Sequence, residues 1–262
     1  MSFSDKFKEH WLYVIIMLIV AVVGVFGLLF VPRPGDPLVA LLHVNVMLLG
    51  LSMVTVFLLW GISAYLFYRW MATDRKATAT IIWALSYFVY GILFIAMCFQ
   101  ALGAPWADMN IPSIFFEFRQ VMIWFLAFQW LGIAVQLSEN KWIRYIPAIL
   151  ILGVGYIWFS YGLLVVGNIE YMMYGFTYGI LIPVAFTLAY SFYLYGKSAN
   201  IKAPYYLTIG FTALGVCYGA WAPWHGMNFY FIWFFLFVSS LIPIAMGFLL
   251  LSRDVELRKL RG

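Results

Sequence analysis

A chain of 262 residues that is 66% hydrophobic and only 10% charged cannot coat a water-soluble globule, since an ordinary soluble domain carries about 25% charged residues. The net charge of +5 does not read as a nucleic-acid footprint, because the basic residues are dispersed rather than gathered on one face. The class these numbers leave is an all-α, polytopic transmembrane helical bundle, a single integral membrane domain over residues 1–262 whose first partner is the lipid bilayer.

About eight apolar runs are long enough to cross roughly 30 Å of hydrocarbon. The first, 11–31, ends in Phe30-Val-Pro-Arg-Pro, which lacks a small-residue cleavage site and predicts a retained signal anchor. The second, 40–67, opens with His43. The third, 79–101, contains Cys98, and the fourth, 113–137, contains Glu117, Arg119, Gln129 and Gln136. Spans at 145–165, 171–195, 205–222 and 229–251 complete the series, with Cys217 in the seventh and His225 just beyond its end. Short connections rich in Gly, Pro, Asn and Asp separate them, and continuous rather than alternating hydrophobicity disfavours a β-barrel.

Short cytoplasmic loops carry the Lys/Arg excess. With the N-terminus inside, all basic residues except Arg33 and Arg119, thirteen of fifteen, fall at inner ends, so both termini are expected in the cytoplasm. An inner or plasma membrane is the expected location.

The charged pair of the fourth span is the principal anomaly. A charge at mid-bilayer costs at least about 2.5 to 3.5 kcal/mol, so intramembrane ionisable residues mark candidate sites. At 100° per residue Glu117 and Arg119 lie about 200° apart and cannot pair with each other on a straight helix. Gln129 and Gln136, seven residues apart, share a face and form a polar stripe that either glues helices together or lines a wet cavity. Glu117, Gln129 and Gln136 are therefore candidates for a proton or quinone site.

His43, His225, Arg119 and Glu117 are all expected near the outer side, at one depth. Two imidazoles and a guanidinium there suit a b-type haem, with His43 and His225 as axial ligands of the iron and Arg119 pairing a propionate. The plainer alternative makes His43 a helix-entry hydrogen-bonder, places His225 in an interfacial aromatic belt with Trp221 and Trp224, and lets Arg119 snorkel to the headgroups. Trp124, Trp130, Tyr156, Trp158, Tyr218, Trp221 and Trp233 are candidate linings for a flat cofactor or ordinary core. Pro183 and Pro243 predict kinks. The two cysteines lack metal-ligand spacing and read as packing thiols.

The stretch Leu42-His-Val-Asn-Val-Met-Leu-Leu-Gly50, continuing to Trp60-Gly-Ile-Ser-Ala-Tyr-Leu-Phe-Tyr-Arg69, resembles the second helix of haem-copper oxidase subunit I and its short relatives. That resemblance implies His43 as a low-spin haem ligand. The chain has too few histidines for a second haem and a copper, so it implies a one-haem electron-transfer subunit among other membrane subunits, with quinone as partner and Glu117 or Glu170 as proton acceptor. Without the first span, the remaining seven and an arginine in the third of them are similar to the microbial rhodopsin plan. The retinal lysine of that family would fall near Pro243, and no lysine lies in any span, so no retinal Schiff base can form. A transporter would be expected to show an internal repeat, and none is convincing here; a purely structural subunit is the fourth reading.

Overall fold

The computed structural model describes residues 37–72, 77–226 and 230–259, with side chains at 46–72, 77–169, 171–220 and 233–251. The predicted first span, 11–31, lies outside the described residues, as do the side chains of His43, Glu170, Trp221, Trp224 and His225. Every long element among the described residues is helical. The helices are α1 (Pro37–Ala72), α2 (Thr78–Ala101), α3 (Pro112–Leu137), α4 (Lys141–Tyr161), α5 (Ile169–Phe176), α6 (Ile182–Ala199), α7 (Ala203–Gly226) and α8 (Tyr230–Lys259). Among the described residues six segments are long and apolar enough to cross a membrane, one of them Tyr171–Ala199, which joins α5 and α6 into one span. The protein is an all-α polytopic bundle that contacts lipid.

Local chemistry sets the boundaries. Pro112 opens α3, where its missing N–H costs nothing. Asn140 caps α4 by accepting from the Trp142 N–H at 2.9 Å, and Asn168 caps α5 by accepting from the Tyr171 N–H at 3.0 Å. α4 ends in a widened π turn, Gly162–Val166, closed by Gly167 at φ +64°, a conformation glycine adopts without strain. Asn200, at φ 52°, ends α6 in the same left-handed region.

The expected kink at Pro183 takes a definite form. The π segment Thr177–Leu181 immediately precedes α6. Proline at 183 has no N–H for the Gly179 carbonyl and its ring crowds that oxygen, so a wider turn just upstream accommodates both. Pro243, by contrast, lies within an unbroken α8.

Each span packs against its successor, and α8 returns to α1, so the described spans close into a ring. α3 also reaches α6 across the middle. Lipid tails offer no hydrophobic drive between helices, so close approach and interhelical hydrogen bonds carry the packing. Ser63 donates to the Ala84 carbonyl at 2.8 Å, linking α1 to α2, and Ser86 donates to the Phe125 carbonyl at 3.1 Å, linking α2 to α3. Trp233 Nε1 donates to the Cys217 carbonyl at 2.7 Å between α7 and α8. At the same interface, a Cβ on Gly210 would meet the Ser240 carbonyl and the Ile244 nitrogen at 3.0 Å, so only glycine permits this approach.

The interior is aromatic. Tyr90 stacks on Phe125 with centroids 3.9 Å apart, and Trp83 is wedged among Phe192, Phe211 and Phe248 at 5.2 to 5.9 Å. These rings fill the ring of helices rather than leaving a pore. Both Cys98 and Cys217 are free thiols, as expected, and Cys217 is buried.

Candidate functional site

Arg119 lies seven residues into α3, about 10 Å from its start at 1.5 Å per residue. It faces the bundle interior and is 8% exposed, so it does not snorkel to the headgroups. Its guanidinium sits 4.7 Å from the centroid of Phe115, one turn earlier on the same helix. Glu117 is exposed on the opposite side of α3, as the 200° separation requires. Among the described residues Arg119 has no carboxylate partner and its Nε makes no hydrogen bond.

Three hydroxyls surround this cation. Tyr90 on α2 and Tyr218 on α7, both buried, approach to 3.2 Å and are the groups that interact electrostatically with Arg119. Thr177, the first residue of the π segment, is buried and its Oγ1 has no hydrogen-bond partner. Together Arg119, Tyr90, Tyr218 and Thr177 line a cavity of about 20 Å³, completed by apolar side chains including Met122, Leu181 and Trp233. That volume is about what one water or one monatomic ion needs.

The elements that build this centre explain its position. Trp83, Tyr87 and Tyr90 are spaced four and three residues apart on α2, which puts them on one inward face. Tyr218 is held one position from Cys217, whose carbonyl accepts the Trp233 indole N–H, so α7 and α8 are locked where they border the cavity. The wide turn at 177–181 brings Thr177 and Leu181 to the same cavity. Taking an ion out of water costs several kcal/mol even after relaxation, and no acid among the described residues offsets it.

The remaining predicted residues separate. Gln129 is buried one layer away, with the Tyr87 hydroxyl near its side chain, and its Nε2 has no hydrogen-bond partner. It therefore does not act as interhelical glue through its amide nitrogen. Gln136 lines a second cavity of about 290 Å³ at the basic end of the bundle, together with Arg69, Thr80 and Trp83. Of the seven aromatic residues singled out as linings, Tyr218 and Trp233 face the Arg119 cavity. Trp124 instead donates to Tyr156 at 2.9 Å on the periphery, Trp130 to the Ile143 carbonyl at 3.2 Å, and Trp158 to the Met172 carbonyl at 2.8 Å; Trp221 lies outside the described side chains.

Tyr90 and Thr177 were not legible as site residues, being one of 18 tyrosines and an unremarkable threonine. A usable signal existed for Tyr90: polar-tipped aromatics at three- and four-residue spacing within one span. Among the described residues no group of three or more His, Cys, Asp or Glu could hold a metal ion. The fold and centre define a class, a multi-pass membrane bundle with a buried arginine that has no acid beside it among the described residues. No family model, no curated protein and no solved structure matches this chain.

Proposed function

We propose that the protein is a ligand-binding membrane bundle, of receptor or carrier type, whose ligand is anionic and is held by Arg119 inside the helical ring. One observation carries this reading: a buried guanidinium with no carboxylate partner among the described residues borders a cavity lined by further residues that carry hydrogen-bond donors. A pump would need inward carboxylates around that cation, and the cavity wall has none among the described residues. The ring closed by α1 and α8 supports a self-contained interior site rather than one completed at a lipid-facing surface.

The electron-transfer reading asks Arg119 to pair a haem propionate and His43 and His225 to ligate the iron. The cavity beside Arg119 is about 20 Å³, whereas pockets for large ligands measure about 300 to 1,000 Å³. The residues around Arg119 do not fit a macrocycle, and no step is assigned to one. A dithionite-induced α-band in the purified protein would restore that reading.

The binding reading is tested by thermal unfolding of the full chain in detergent against a panel of small anions: halides, nitrate, formate, acetate, lactate and phosphate. At least one class should raise the unfolding temperature saturably in the native protein and leave Arg119→Gln unmoved. A native protein indifferent to the whole panel overturns the reading.

A further inference from the structure

We infer that the occupant of the Arg119 centre is a small monovalent anion of halide type; this rests on the binding reading above and narrows its ligand. The residues with polar side chains that line the cavity include Arg119, Thr177, Tyr90 and Tyr218. In the Tyr90–Tyr218 contact one hydroxyl donates to the other, so one hydroxyl hydrogen remains for a third partner. Thr177 Oγ1 has no partner either, and Arg119 Nε is an N–H without an acceptor. Spare donors thus belong to residues of α2 or α7, α3 and the π segment that line one cavity. What it lacks among the described residues is an acceptor carrying negative charge.

Size and charge select the acceptor. About 20 Å³ admits a single sphere of ionic size and leaves no room for the carbon skeleton of a larger carboxylate. One guanidinium balances one negative charge, so a divalent oxyanion would remain half uncompensated in a wall otherwise made of Leu93, Phe94, Met97 and Met122. Thioethers and aromatic edges are weak, polarisable partners, which suit a large monatomic anion better than a strongly hydrated one. Water alone would satisfy the hydrogen bonds and leave the charge without a counter-ion.

Trp233 borders the cavity, which supplies a direct readout, since a heavy halide quenches indole fluorescence at contact. Full-length protein in detergent and sodium gluconate, whose anion is too bulky for the cavity, is titrated with sodium bromide. A saturable quenching phase is expected above the linear collisional one, absent in Arg119→Gln. Thr177→Val and Tyr218→Phe, which keep the shape of the wall, should each weaken bromide binding about tenfold through loss of a donor to a charged group, and they carry the test if the arginine variant does not fold. Purely linear quenching of the native protein, or saturable quenching that all three variants retain unchanged, overturns the halide assignment. If quenching is linear while acetate or lactate stabilises the native protein and not Arg119→Gln, the ligand is a carboxylate, and only this inference falls. If no anion acts by either readout, the binding reading falls with it.

Discussion

The hydroxyl of Tyr90 lies 3.2 Å from that of Tyr218, tying α2 to α7 beside a buried arginine although the two residues are 128 positions apart in the chain. Interhelical hydrogen bonds within membranes couple by about 0.6 kcal/mol on average and about 1.7 at most. A double-mutant cycle of Tyr90→Phe and Tyr218→Phe, read by reversible unfolding in mixed micelles, should return a coupling in that range. Strict additivity would show that the two hydroxyls are neighbours without a bond.

Arg119 and Glu117 should behave oppositely despite their spacing. Glu117 is exposed on the outer face of α3, so Glu117→Gln should change stability by no more than about 0.5 kcal/mol. Arg119→Gln removes a buried charge that no acid among the described residues balances, and in gluconate buffer this variant should unfold at a temperature equal to or above that of the native protein. A large loss of stability in gluconate would mean that Arg119 has a structural partner.

Gln129 offers a test of buried polarity. Its Nε2 is enclosed without a partner, so Gln129→Leu should be neutral or stabilising by up to about 1 kcal/mol. Ser86 is equally buried, but its hydroxyl donates to the Phe125 carbonyl across the α2–α3 interface, and Ser86→Ala should cost about 0.5 to 1.5 kcal/mol. Thermal unfolding of the two variants in parallel checks the contrast, and a destabilised Gln129→Leu would contradict it.

Helix contact through glycine can be probed the same way. An alanine methyl at Gly210 meets backbone atoms of α8 at 3.0 Å, and overpacking of this kind costs about 1 to 3 kcal/mol. Gly153 lies on an exposed face of α4, where an added methyl group would have no neighbour within 4 Å, and it should accept alanine without loss. Equal stability of the two variants would mean that α7 and α8 separate readily at Gly210.

Much of this architecture was readable from hydropathy, because a span must satisfy its own backbone and so betrays itself as a long apolar run. The divergence of Glu117 and Arg119 followed from the helical angle alone. Which side chains meet Arg119 did not follow. Tyr90, Thr177 and Tyr218 come from three different spans, and lateral helix order is decided by packing that a hydropathy profile does not contain. Depth suggested His43 and His225 as companions of Arg119; the described neighbours at that level are tyrosines and a threonine. Gln129 and Gln136 share a helical face yet sit in separate layers, since seven residues are about 10 Å of rise.

The π turn at Thr177–Leu181 also resets the phase of its span. Before it Met172, Met173 and Phe176 are buried, and after it Val184, Ala185, Leu188, Ala189 and Phe192. Counted at 100° per residue, the centres of these two faces lie roughly 145° apart, and one extra residue in the wide turn supplies about 100° of that offset. The wide turn thus takes up one residue that would otherwise rotate one buried face away from the interior, so a one-residue deletion inside it should close it to a regular α-helical turn with both faces still inward. Inserting a further residue there would instead turn one buried face by about 100°, and either the wall of the Arg119 cavity or the packing of Val184 to Phe192 would lose its register.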